Sequence, residues 1–98
     1  MKRETIIGTL NAIRPALEAE GVRHIAIFGS RARGDFRPDS DLDILLEVDP
    51  LSKFSIFGLL RVEELTSEAV GVPANAFMRR SLDKEFMSEI KPDLVEVF

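Results

Sequence analysis

The chain has 98 residues, 45% of them apolar and 31% charged, enough for one hydrophobic core and too few for a catalytic domain plus a separate acceptor-reading domain. Its formal net charge of −4 disfavours stand-alone binding to DNA or RNA, and no apolar run approaches the ~20 residues that span a bilayer, so a soluble, cytoplasmic protein is expected. Cysteine is absent and His24 is the single histidine, which excludes disulfides and thiolate sites and leaves an oxygen-ligated hard cation such as Mg²⁺ or Mn²⁺ as the metal to expect.

From Lys2 to about Glu20 the residues Ile6, Ile7, Leu10, Ile13 and Leu17 recur at three- and four-residue steps, the period of one helix face. Pro15 inside that pattern removes a hydrogen bond and crowds the preceding turn, which predicts a break near Ala12 to Arg14. Val22 to Phe28 reads as a strand covered on both faces. Gly29 to Ser40 is near the upper length of a structureless connection, and a helical turn over Arg31 to Arg33 is expected within it. Leu42 to Val48 places Leu42, Ile44, Leu46 and Val48 on one parity and Asp41, Asp43 and Glu47 on the other, a half-buried strand to which Leu45 is the exception.

A helix is expected from Ser52 to about Val70, with Phe54, Phe57, Leu60, Leu65 and Ala69 as its apolar stripe. Val72 to Met78 reads as a third strand, with Ala74, Ala76 and Met78 opposite Asn75 and Phe77. Ser81 is the expected N-cap of a helix to about Ile90, and Leu94 to Phe98 a short terminal strand. The order helix, strand, strand, helix, strand, helix, strand predicts an α/β (α+β) fold, a mixed sheet of about four strands flanked by helices, as a single domain over residues 1–98. His24 is expected to be a strand residue with a hydrogen-bond partner, Phe54 and Phe57 core residues, and Phe77 core in preference to a base-stacking platform.

The chemistry concentrates in GSRARGDFRPDSDLD, Gly29 to Asp43. On a strand, Asp41 and Asp43 share a face with Cα atoms roughly 6–7 Å apart, so both carboxylates can reach one cation. Gly29 lets backbone approach a ligand, and Ser30 offers N–H and hydroxyl to phosphate oxygens. Arg31, Arg33 and Arg37 are fork-shaped donors suited to phosphate. Singly, an Asp-x-Asp pair, a Gly-Ser turn or a loop arginine is commonplace. A strand followed by Gly-Ser, ten residues and then Asp-x-Asp opening a second strand is far more specific.

The run GSRARGDFRPDSDLDILLEV resembles the signature of the minimal nucleotidyltransferases, within the polymerase-beta-like superfamily. The resemblance implies a mixed sheet flanked by helices and transfer of a nucleoside monophosphate, AMP from ATP, to a protein or small-molecule acceptor. It also implies that Gly29 and Ser30 hold the triphosphate, with Asp41 and Asp43 binding divalent metal. Arg33 is equally compatible with contacting the triphosphate and with bracing the loop against Asp35 or Asp39. Minimal members are often paired with a small helical HEPN-type toxin that they neutralise by binding or by adding AMP.

Family members usually carry a third carboxylate on the third strand, and in this chain Asn75 falls at that position. An amide is neutral and cannot act as a general base near pH 7, a loss worth about 10²–10⁴-fold in rate. Glu47 lies roughly 13 Å along the strand from Asp43 and is not expected to substitute, and nothing in the spacing recommends Asp93. The alternative function is therefore a catalytically impaired module that binds nucleotide and a partner chain.

Overall fold

The computed structural model describes residues 1–98. The N-terminal apolar stripe forms two helices, α1 (Arg3–Ala12) and α2 (Arg14–Ala19), broken at Ile13, whose φ/ψ of −97°/9° leave the helical region. Pro15 opens the second helix, where a missing N–H costs nothing because the first-turn donors have no intrahelical acceptor. The break falls where Pro15 predicts it.

The sheet has four strands, β1 (Val22–Phe28), β2 (Leu42–Val48), β3 (Ala74–Met78) and β4 (Val95–Glu96), in the order β3-β2-β1-β4. β1 is antiparallel to β2 and to β4, whereas β2 and β3 are parallel. Between β1 and β2 sits the single turn α3 (Ser30–Arg33); α4 (Ile56–Val70) makes the crossover from β2 to β3, and α5 (Lys84–Ile90) follows β3. A parallel pair needs such a crossover because no tight turn can reverse the chain twice.

Ile6, Leu10, Leu17 and Val62 from the first, second and fourth helices pack on Ile25, Ile27, Leu42, Ile44 and Leu46 to form the main core. On the opposite face a smaller cluster joins Ile90 to Ala26, Phe28 and Leu45, with Phe77 and Phe86 against it. This explains why Leu45 breaks the period-two pattern: α5 covers the middle of the acid-bearing face and leaves its upper end, at Asp41 and Asp43, in the open. Phe77 is half-buried and packs against this cluster, in contact with Phe28 and Phe86 at centroid distances of 5.5 and 5.7 Å.

Several boundaries differ from expectation. α4 begins at Ile56 instead of Ser52, because Asp49 closes a turn first: its carboxylate accepts from the Leu51 N–H and its carbonyl from the Ser52 N–H. The face of α4 that docks on the sheet carries Val62, Thr66 and Val70. Phe57 is 79% and Leu60 53% exposed, so neither is core, whereas Phe54 is half-buried and packs beside Gly58. The cap of α5 is Asp83, which accepts from the Phe86 N–H at 2.8 Å; Ser81 belongs to a preceding 3₁₀ turn, Arg79–Ser81. The terminal strand is only two residues long, although Ile25 still bonds the backbone of Val97 and Phe98. His24 is exposed opposite Glu47 and makes no side-chain hydrogen bond.

The free edge of β3 is closed by α4. The Ala76 N–H donates to Glu63 Oε2 at 2.7 Å and the Ala74 N–H to Ser67 Oγ at 2.9 Å, which satisfies strand donors that an open edge would offer to another chain. Thr66 is fully buried, and its hydroxyl finds no partner.

Candidate functional site

The register of β2 assembles the site. Phe28, the last residue of β1, pairs with Asp43, so the chain turns at Gly29 directly beside that carboxylate. On the other flank Asp43 pairs with Asn75 of β3. Phe28, Asp43 and Asn75 thus lie side by side across three strands, with Gly29 just past the end of β1 and Asp41 one pleat further toward the open end of β2.

Gly29 is required by two constraints. Its φ/ψ of 76°/−161° fall in a region essentially restricted to glycine. A Cβ there would stand 2.6 Å from Asp43 Oδ2, closer than atoms can approach. The absent side chain is what lets the Asp43 carboxylate lie against the turn. Ser30 follows as the first residue of α3, and the Gly29 carbonyl accepts from Ala32 and Arg33 to close that turn.

The Asn75 amide donates to Asp41 Oδ2 at 3.2 Å and to Asp43 Oδ1 at 3.3 Å. It occupies the place between the two acids where positive charge is most favourable. Burial pushes the Asp43 carboxyl above its ordinary range; the Asn75 hydrogen bond pulls it back, the neighbouring Asp41 charge raises it, and the Arg33 charge lowers it. The desolvated, crowded carboxylate therefore favours any cation that can replace water around it.

The arginines divide by role. Arg31 is buried, only 3% exposed; its Nε and Nη2 donate to the Ser40 carbonyl at 3.1 and 2.8 Å, Nη2 also reaches the Pro38 carbonyl at 3.4 Å, and the guanidinium stacks 4.3 Å from the Phe36 ring centroid. Its expected availability to phosphate is not met, because it braces the loop from inside. Arg33 is exposed and is held by Asp35 at 3.1 Å and Asp93 at 2.9 Å. Those hydrogen bonds hold its guanidinium further above its ordinary range. Of the two bracing partners considered from sequence, Asp35 is used and Asp39 is not. Arg37 is exposed at the rim, where its N–H donates to Ser40 Oγ.

Asp93 was the partner sequence reasoning could not supply, since 60 residues separate it from Arg33 and only the packing of the C-terminal turn against α3 brings them together. Glu47 points to Arg79 at 3.7 Å, away from Asp43. Apart from the two aspartates, no further acidic side chain or histidine joins to form a three-membered metal-binding group.

A family model described as "Nucleotidyltransferase domain" matches residues 10–97 of this sequence. The chain belongs to that family. Among its relatives, the protein adenylyltransferase MntA of Thermococcus cleftensis is 32% identical over 95 residues, covering 96% of this chain and 94% of the relative. A solved structure assigned to the minimal nucleotidyltransferases superposes with a TM-score of 0.80 at 24% identity, over 97% of this chain and 95% of that one. A tri-AMPylated Shewanella oneidensis HEPN toxin in complex with an MNT antitoxin provides a further match, with a TM-score of 0.66 at 14% identity over 92% of this chain and 69% of that one. These likenesses bear out the fold of a minimal nucleotidyltransferase: a mixed four-strand sheet with flanking helices.

The donor set of this nucleotidyltransferase domain suits a hard cation. It consists of carboxylate oxygens from Asp41 and Asp43 and, if the amide turns over, one carbonyl oxygen from Asn75, with no nitrogen or sulfur donor nearby.

Proposed function

We propose that residues 1–98 form one nucleotidyltransferase domain that binds a Mg²⁺- or Mn²⁺-complexed nucleoside triphosphate, ATP above others, and transfers AMP to a protein acceptor with release of pyrophosphate. The observation that carries this reading is the convergence of Gly29, Asp41 and Asp43 at the open end of β2. Asp41 and Asp43 would hold the metal, and the backbone and hydroxyl of Ser30 would bind phosphate oxygens beside it. A divalent ion, when bound, supplies positive charge to phosphate oxygens in the site. The loop braced by Arg31 fixes the distance between Ser30 and Asp41, and catalysis of this type rests largely on such positioning.

The acceptor we favour is a helical HEPN-type partner. The MntA relative is called a protein adenylyltransferase, and an AMPylated HEPN toxin accompanies an MNT antitoxin in one structural neighbour. The cytoplasm is the setting that reading implies, and no helix of the chain is long and apolar enough to cross a membrane. A second reading, a nucleotide- and partner-binding module with impaired transfer, is favoured by one observation, the neutral Asn75 between the two acids.

Calorimetric titration with ATP, with and without Mg²⁺, tests both readings, followed by transfer of labelled AMP to a co-expressed HEPN-type chain. Magnesium-dependent binding lost in Asp43→Ala is expected. Binding that ignores Mg²⁺ or survives Asp43→Ala would remove the assigned site, whereas binding without transfer would select the second reading.

A further inference from the structure

Asn75 decides more than the presence of a general base. It stands in register with Asp43 on the adjacent parallel strand and reaches both aspartates with one amide. Sites that carry two divalent ions about 3.5–4 Å apart need enough anionic ligands around the ions to offset their mutual repulsion. An amide oxygen can serve one ion, carries no charge, and cannot play that part.

The other acids nearby do not make up the deficit. Glu47 faces Arg79, Asp93 holds Arg33 at 2.9 Å, and Glu63 accepts from the Ala76 N–H at 2.7 Å on the outer edge of β3. Each is engaged on a different side of the sheet or loop, and moving any of them would break an ion pair or expose a strand edge. Asp41 and Asp43 are the acids that the Asn75 amide joins.

We infer that this site takes a single divalent cation, the one that accompanies the triphosphate, and that Asn75 excludes a second. The inference rests on the nucleotide-binding reading above and narrows it: the site would position the nucleotide fully while leaving the acceptor without a metal of its own. The Asn75 N–H groups themselves join the two carboxylates.

Mn²⁺ with the non-hydrolysable analogue AMP-PNP provides the test, because two Mn²⁺ ions a few Å apart give a spin-coupled electron paramagnetic resonance spectrum and a single ion gives an uncoupled six-line signal. Calorimetry first establishes that the Mn²⁺–AMP-PNP complex binds. The wild-type chain is then expected to show one bound ion with no coupled signal, and Asn75→Asp two ions with the coupled signal. A coupled pair in the wild-type chain would overturn the inference and leave the proposed function standing. Binding by Asn75→Asp without a coupled pair would also overturn it, since Asn75 would not be what limits the ion count. Absence of any Mn²⁺–AMP-PNP binding to the wild-type chain would remove the inference together with the function on which it rests. Should the aspartate variant fail to fold, Asn75→Glu, which restores the charge at the same position, is measured in its place against the same outcomes.

Discussion

Replacing Gly29 with alanine separates the role of this residue in the site from its role in the fold. At φ/ψ of 76°/−161° a side-chain-bearing residue is strained by about 1–3 kcal/mol. In addition the new Cβ would meet Asp43 Oδ2 at 2.6 Å, against roughly 3.3 Å for an ordinary carbon–oxygen contact, so the carboxylate must retreat by about 0.7 Å. A displacement approaching 1 Å at a group that positions charge can cost about 10²-fold. Gly34→Ala is the matched control: its φ/ψ of 92°/5° also strains alanine, by about 1–2 kcal/mol, but nothing lies within 4 Å of its Cβ. Urea unfolding should show both variants destabilised, while Mg²⁺-dependent ATP affinity should fall at least ~10-fold only in Gly29→Ala. Equal affinities in Gly29→Ala and wild type would refute the claim that this glycine makes room for the Asp43 carboxylate.

Three further outcomes follow from the same structure. Burial raises the Asp43 carboxyl; the folded state therefore holds its proton longer than the unfolded chain, and stability falls as pH rises from the ordinary carboxylate range through the folded value. Asp43→Asn, measured in chelator by thermal unfolding, should lose that part of the decline, and parallel pH profiles for the two proteins would contradict the assignment. Thr66→Val removes a buried hydroxyl without a partner at nearly constant shape and should stabilise the chain by about 1–2 kcal/mol in denaturant unfolding; a loss would mean the hydroxyl is bonded. Arg31→Lys keeps the charge but cannot reproduce the fork to the Ser40 carbonyl or the stack on Phe36, so a cost of about 1–3 kcal/mol is expected, with faster amide exchange across residues 36–40 as the local signature.

How much of this was legible beforehand depended on how local each cause is. The helix break at Ile13, the strand parity of β2 and the turn behind Ser30 all follow from neighbours a few residues apart, through proline's missing donor, the two-residue pleat and glycine's conformational range. Phe57 misled because spacing shows which residues share a helix face but not which face docks on the sheet, and the face that docks carries Val62, Thr66 and Val70. Leu45 looked anomalous for the related reason that sequence alone does not show which helix will cover a sheet's second face.

At the site the same division holds. Residue identity and spacing marked Gly29, Ser30, Asp41 and Asp43, because a turn without Cβ and paired carboxylates on one strand face are written in the chain itself, whereas Asn75 was marked by the resemblance to the minimal nucleotidyltransferases, whose third acid falls at that position. Tertiary structure decided what touches what: that Arg31 braces the loop, that Arg33 is held by Asp93 across 60 residues, and that the Asn75 amide ties the two acids together. Those contacts are set by strand register and by the docking of the C-terminal turn, which depend on burial summed over the whole core and cannot be read from any one segment.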